Sequence, residues 1–327
     1  MSSRSLVTGG AGFIGSHLAH SLLQQGSSVR VLDNFSTGRR ENLADISEDV
    51  QVMNDDLRNL DACISACRGM DTVYHMGALG SVPRSIDDPL TTNAVNVQGT
   101  LNVLIAAREC GVGRVIFSSS SSVYGDTPTL PKREGMLPNP RSPYAVSKLA
   151  GEEYCRAFAL SYGLETIILR YFNVFGPQQD PSSQYAAVIP KFLAALHEGR
   201  RPVIYGDGTQ SRDFTYVSNV VNANLLASQV KGVSGEVFNI ACGEQVSVKE
   251  MLARMTSFLG RGAEPEYKEP RVGDVLHSRA AIDAAEKRLG YHPAVLFDEG
   301  LSRTIQAFVE AFSLKARSTR NSQSRLK

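Results

Sequence analysis

Short runs of aliphatic and β-branched residues alternate with longer amphipathic stretches from the start of this chain. Ser5-Leu6-Val7-Thr8, Val29-Arg30-Val31-Leu32, Val50-Gln51-Val52, Thr72-Val73-Tyr74-His75, Arg114-Val115-Ile116-Phe117 and Glu165 to Leu169 read as strands. Helices are predicted from Phe13, over Asn93 to Arg108 and over Tyr144 to Tyr162. Strands separated by helices of this length need right-handed crossovers, which cover both faces of a parallel sheet. The expected fold class is therefore α/β, a Rossmann-like doubly wound parallel sheet over residues 1–175.

After Gly176 the texture changes to segments punctuated by Pro177, Pro181, Pro190, Pro202, Gly206, Gly208, Pro265, Pro270, Gly273 and Pro293. This predicts a smaller mixed α/β substrate-binding lobe from 176–214 and 241–313. A helical stretch from Val217 to Gln229 is expected to carry 215–240 back to the first lobe. Residues 314–327 hold Lys315, Arg317, Arg320, Arg325 and Lys327 among polar neighbours, the composition of a flexible basic tail.

Composition narrows the function classes. The chain has 327 residues, 42% of them hydrophobic, enough to bury a sizeable core. Lys and Arg number 34 against 33 Asp and Glu, so no basic field steers nucleic acid. Cys63, Cys67, Cys110, Cys155 and Cys242 are an odd set without C-x-x-C spacing, as in a reduced cytoplasmic protein, and no metal site is expected. Neither a signal peptide before the first strand nor an apolar run long enough to span a membrane is expected.

The turn after the first strand reads Gly9-Gly10-Ala11-Gly12-Phe13-Ile14-Gly15. Absent side chains let backbone approach a pyrophosphate, which free N–H groups and the positive end of the helix dipole stabilise. The second strand ends in Asp33, placed to accept both ribose hydroxyls and to repel a 2′-phosphate. The cofactor expected is NAD. Arg39 and Arg40 are the residues that could favour the phosphorylated form instead, and Asp56-Leu57 follows the third strand, where an acid can meet the adenine edge.

Tyr144 and Lys148 lie four residues apart on one helix face. A lysine charge together with a cationic nicotinamide stabilises tyrosinate, so Tyr144 can serve as a general base. The serine run Ser118 to Ser122 ends a strand just before this helix and offers a hydroxyl to share the proton; its spacing from Tyr144 favours Ser120.

With these residues in view, the chain resembles the extended short-chain dehydrogenase/reductase family in its nucleotide-sugar epimerase and dehydratase branch. The likeness spans about residues 4–312: the glycine turn, Asp33-Asn34 with Ser36-Thr37-Gly38, His75-Met76-Gly77-Ala78, Asn96-Val97 with Gly99-Thr100, Ser118 to Gly125, Tyr144 to Lys148 and Arg170-Tyr171-Phe172-Asn173. It adds Asn34, Ser36, Thr37, Gly38, Gly77, Ala78 and Asn96 to the cofactor candidates. Gly77 stands where the family usually has Ala, and Ser218-Asn219 where an acid is usual.

The resemblance also implies a reaction. Family members oxidise a sugar at C4 and differ in the acids that act next. Dehydratases carry Thr-Asp-Glu, and decarboxylases Glu, before Val-Tyr-Gly; here Ser120, Ser121 and Ser122 precede Val123-Tyr124-Gly125. That implies C4 epimerisation of a UDP-sugar. The implied substrate contacts are Ser81, Arg84, Ser120, Ser121, Tyr144, Asn173, Val188, Lys191, Phe192, Tyr205, Arg212, Arg271, Asp274 and Ser278. Arg212 and Arg271 would pair with the diphosphate and Asp274 with the uridine ribose.

Within the branch, the chain is similar to bacterial UDP-N-acetylglucosamine 4-epimerases through Gly77 to Ser85, Tyr185 to Lys191 and Gly273-Asp274-Val275 with His277-Ser278. Small Ser278 replaces the bulky Tyr of glucose-restricted epimerases and leaves room for a 2-acetamido group. UDP-glucose and UDP-glucuronate stay open, the latter because Arg84 could meet a carboxylate; Asn173 stands where glucuronate epimerases typically have Thr. A decarboxylase or a non-catalytic NAD sensor are the remaining alternatives. The family also implies a homodimer paired through the helices from Asn93 and Tyr144.

Overall fold

The computed structural model describes residues 3–180, 187–260, 262–270 and 276–324, with side chains through 312. In chain order the first half runs β1 (Arg4–Thr8), α1 (Phe13–Gln24), β2 (Ser28–Leu32), β3 (Val50–Met53), α2 (Leu60–Cys67), β4 (Thr72–His75), α3 (Val82–Asp87), α4 (Pro89–Asn93), α5 (Gly99–Glu109), β5 (Arg114–Ser120), α6 (Pro143–Tyr162) and β6 (Glu165–Tyr171). There follow β7 (Val174–Phe175), α7 (Val188–His197), β8 (Val203–Tyr205), β9 (Ser211–Arg212), β10 (Thr215–Tyr216), α8 (Val217–Gln229) and β11 (Val237–Ile240). The chain closes with β12 (Val246–Ser247), α9 (Val248–Leu259), β13 (Glu266–Lys268), α10 (Asp283–Leu289) and α11 (Phe297–Ser324).

Seven strands form a sheet in the order β11-β6-β5-β4-β1-β2-β3, with every neighbouring pair parallel. Alternate residues of each strand supply two cores. Val7, Val31, Ile116 and Leu169 pack under Leu18 and Leu22 of α1 and Val220 and Val221 of α8. Leu6, Val73, Val115 and Ile168 pack under Cys63 and Cys67 of α2, Val103 and Leu104 of α5, and Phe158 of α6. The order reverses between β1 and β4, so their carboxyl ends part and leave a crevice of the kind that receives ligands.

A third core, including Phe175, Phe192, Phe214, Tyr216, Met251 and Phe297, joins α7, α9 and α11 into a second lobe. The chain then returns to the sheet, since α8 packs on α1 and β11 pairs with β6. The helix expected over Asn93 to Arg108 is interrupted. It opens at Pro89 and passes through a π turn, Ala94–Gln98, before α5. At the basic end, α11 continues as helix through Ser324.

Candidate functional site

The glycine turn spans the crevice end of β1 and the first turn of α1. Gly9 adopts φ 65°, and a Cβ there would lie 2.6 Å from Gly77 Cα; one on Gly15 would lie 2.2 Å from the Gly9 carbonyl oxygen. Only glycine allows this approach of turn, helix and the loop after β4. Gly12 caps α1 without a side-chain hydrogen bond, and no acid lies in the first turn, so the N–H groups around Phe13 and Ile14 suit an anion.

Asp33, at the end of β2, is buried and accepts the N–H of Ala11 at 2.9 Å and of Phe35 at 2.8 Å. Burial pushes its carboxyl above the usual range, against the pull of those two donors. The carboxylate keeps lone pairs for hydroxyl donors. Gly38 is packed on it, where a Cβ would lie 2.8 Å from either oxygen. Asn34, Ser36 and Thr37 beside it are exposed. Arg40 lies over the Phe35 ring at 4.0 Å, and Arg39 N donates to Ala11 O. An uncapped helix start, a turn that excludes side chains and a buried acid fit a dinucleotide without a 2′-phosphate.

Asp56 is engaged by Asn34 Nδ2 at 2.7 Å and by Arg58, whose hydrogen bonds hold its carboxyl down at about 2. Leu57 is buried against Gly77. A cavity of about 230 Å³ is lined by Asn34, Ser36, Arg58, Leu79, Arg84, Asp88, Thr91 and Val95. Arg84, expected beside the sugar, thus shares a wall with cofactor candidates, while Ser81 caps α3 by accepting Arg84 N. A larger cleft of about 680 Å³, with His20, Arg30 and Asp49 in its lining, opens at the amino ends of β2 and β3 and holds no candidate residue.

A buried polar thread runs below the crevice. Thr100 Oγ1 donates to Asn96 O and therefore accepts from His75 Nε2, so His75 Nδ1 accepts from Thr8 Oγ1, which in turn receives Gly77 N–H. Burial and the Lys148 charge lower the His75 pKa to about 3, so the ring is neutral. Asn96, on the π turn, accepts Leu79 N and donates to Leu79 O and Ser147 Oγ. It braces the loop carrying Ala78 against α6.

That helix is well specified. Ser142 caps it by accepting Ala145 N, Pro143 opens its first turn, and Gly163 ends it at φ 69°. Its start presents Tyr144 and Lys148 to the end of β5. Lys148 Nζ donates to Ser118 O at 2.8 Å, and burial pulls its pKa down to about 8. Burial raises the Tyr144 phenol, and the Ser120 hydroxyl beside it pulls the other way. The lowering of Tyr144 expected from Lys148 is therefore not met by the protein alone. Ser120 Oγ also accepts Ser122 N, and Ser121 is half-buried beside it.

The second lobe brings further candidates together. Asn173 takes φ 32°, a left-handed conformation that Asn tolerates, and donates through Nδ2 to Asp213 O at 3.0 Å. Ser278 is buried, and its N–H donates to Ser211 O beside Arg212. Arg212 donates to the carbonyls of Ser211 and Leu276. Val188 and Lys191 are half-buried on α7, whereas Phe192 is buried in the second core; Tyr205 ends β8. Arg271 and Asp274 lie outside the described residues.

Sequence reasoning missed Asp213. Its buried carboxylate accepts N–H from Cys242, Gly243 and Ala280, and burial pushes its pKa up to about 7. It also missed the buried pair Glu152–Arg170 behind the serine run. The signal available was a charged residue inside an otherwise apolar strand, Arg170 following Ile167-Ile168-Leu169.

A model of the NAD dependent epimerase/dehydratase family matches residues 5–241. A UDP-glucose 4-epimerase of Mycolicibacterium smegmatis is 40% identical over 309 residues, covering 93% of this chain and 98% of that protein. The solved UDP-N-acetylglucosamine 4-epimerase of Methanobrevibacter ruminantium, in complex with UDP-N-acetylmuramic acid, superposes with a TM-score of 0.91 at 39% identity, covering 95% of this chain and 100% of that one. A Thermus thermophilus UDP-glucose 4-epimerase in complex with NAD superposes with a TM-score of 0.85 at 37% identity, covering 93% and 98%. A likeness that runs through the glycine turn, the helix of Tyr144 and Lys148 and most of the second lobe makes this chain a member of the NAD dependent epimerase/dehydratase family, whose cofactor is NAD.

Proposed function

We propose that the protein is a UDP-hexose 4-epimerase that interconverts UDP-N-acetylglucosamine and UDP-N-acetylgalactosamine. The observation that carries epimerisation is the acid-free run Ser120-Ser121-Ser122 facing Tyr144. The carboxylate that touches the neighbouring Ser119 belongs to Glu152, and it is bound by Nε and Nη2 of Arg170. It cannot serve to eliminate water or assist decarboxylation.

Tyr144 takes the proton of the C4 hydroxyl, with Ser120 sharing it, and returns it to the same oxygen once the 4-keto sugar has turned to present its opposite face. Lys148, pinned to Ser118 O, supplies the positive charge that favours tyrosinate. NAD, when bound, would supply a reversible hydride acceptor at C4. Gly9, Gly12, Phe13, Ile14, Gly15 and Asp33 would hold it. Arg212, joined by Arg271, binds the diphosphate through forked hydrogen bonds.

Ser278 favours an N-acetylhexosamine by leaving volume free, and the name of the Methanobrevibacter relative agrees with that reading. UDP-glucose is the second reading, on the name of the Mycolicibacterium relative. Incubation with UDP-N-acetylglucosamine, UDP-glucose and UDP-glucuronate, with products identified by proton NMR, separates them. UDP-N-acetylgalactosamine is expected to form fastest without added cofactor; faster epimerisation of glucose or glucuronate would displace the substrate assignment.

The protein acts as a homodimer in this reading. Leu90 on α4 and Val146 and Leu160 on α6 are 83%, 53% and 88% exposed, an apolar face suited to a second copy. No described helix is long and apolar enough to cross a membrane.

A further inference from the structure

Glu152 and Arg170 take no direct part in the chemistry above, yet they lie immediately behind it. Glu152 follows Lys148 by one turn of α6, with a side chain 0% exposed; that of Arg170, on β6, is 1% exposed. The carboxylate accepts Arg170 Nε at 2.8 Å and Nη2 at 2.6 Å. Ser119 Oγ donates to the same Oε1. The preceding residue, Ser118, accepts Lys148 Nζ on its carbonyl. Two successive residues of β5 are thus fastened to two successive turns of α6, just before Ser120. The Arg170 guanidinium also lies 4.6 Å from the Tyr124 ring centroid, which fixes it from the other side.

A buried ion pair is a weak stabiliser, because packed apolar side chains of the same volume do as well or better. A pair in this place has a second use. The titratable groups around Lys148 are Tyr144, Glu152 and Cys155 on α6 and His75 on β4, with Arg170 of β6 beyond Glu152. His75 is neutral, and burial holds the Cys155 thiol protonated. Glu152 is the standing negative charge of the group.

We propose that Glu152, oriented by Arg170, is a positioning residue of the active site: it holds the serine strand end against α6 and supplies the negative charge that keeps the buried Lys148 ammonium charged. This rests on the reading of Tyr144 and Lys148 given above. The surroundings of Lys148 agree: Cys155 and Glu152 both favour the ammonium against burial, and burial keeps the Cys155 thiol protonated, which leaves Glu152 as the charged one.

The test is the pH profile of kcat, with KM and bound NAD measured in parallel. In Glu152→Gln, Arg170 stays charged and the carboxylate is lost, so the alkaline limb is expected to move down by about one pH unit. Removing both charges in Glu152→Gln/Arg170→Gln also removes the opposing, more distant Arg170 charge, so the limb is expected to come only part of the way back, while the lost Ser119 anchor lowers kcat about tenfold with KM unchanged. Alkaline limbs coincident with that of the unaltered enzyme in both variants overturn the charge role. The double variant leaves no buried unpaired charge, so it serves alone if the single one does not fold; kcat equal to that of the unaltered enzyme then overturns the positioning role. Tyr144→Phe and Lys148→Met run alongside. If they retain activity, the catalytic reading itself fails, which is distinct from a failure confined to Glu152.

Discussion

At the scale of single residues, the site rests on groups whose environment opposes their resting charge. Burial raises the Tyr144 phenol, and the Ser120 hydroxyl pulls the other way. Tyr144→Phe is expected to lower kcat by about 10²- to 10⁴-fold, the usual size of a general acid–base contribution, with bound NAD unchanged by absorbance. Ser278→Tyr would fill the space that the proposed reading assigns to an acetamido group; the ratio of kcat/KM for UDP-N-acetylglucosamine over UDP-glucose is expected to fall at least about tenfold. Residue type and spacing single out Tyr144, Lys148 and Ser120 as candidates, whereas Ser278 stands out only through the family resemblance. Asp213 was not legible, because its partners are backbone N–H groups from two distant segments, Cys242-Gly243 and Ala280, that only folding brings together. Arg170 stood out as a charge within an apolar strand, but its partner Glu152 was hidden in the same way, since only folding brings the two together.

At the scale of elements, β1 to β6 fall where their aliphatic runs predict, with no end shifted by more than three residues. Strands buried on both faces leave a clear trace. The short strands β7 to β10, β12 and β13 leave none, since two or three residues cannot establish a period. The π turn was equally invisible, because it is set by tertiary partners. Asn96 must meet both Leu79 and Ser147, and Thr100 must return to the Asn96 carbonyl. Such single-turn bulges gather at functional sites. Asn96→Ala strands the Leu79 groups and frees Ser147 within α6. Denaturant unfolding is expected to show a loss of about 1–3 kcal/mol, with a fall in kcat as α6 loses its brace.

At the scale of the whole molecule, buried groups of opposite sign shape the response to pH. Asp213 rises from 3.8 to about 7 on folding, so the stability linked to its proton is full below pH 3.8 and is lost as pH rises through 7. His75 falls from 6.5 to about 3, so its contribution is full above pH 6.5 and is lost as pH falls toward 3. The two slopes oppose each other between about pH 4 and 6.5. Asp213→Asn removes one of them, and calorimetry is expected to show Tm rising more steeply with pH across that window than in the unaltered protein. On the proposed pairing face, Leu160→Asp is expected to give monomers by sedimentation with the fold intact. Finally, β11 reaches the sheet only after the chain has built much of the second lobe. A fragment ending at residue 175 would carry the glycine turn, Tyr144 and Lys148, and yet leave β6 as a bare, hydrophobic sheet margin open to pairing with other chains. Expressed alone, that fragment is expected to clump instead of binding its dinucleotide, so β11, supplied only after the excursion through β7 to α8, doubles as the solubilising cover of the sheet.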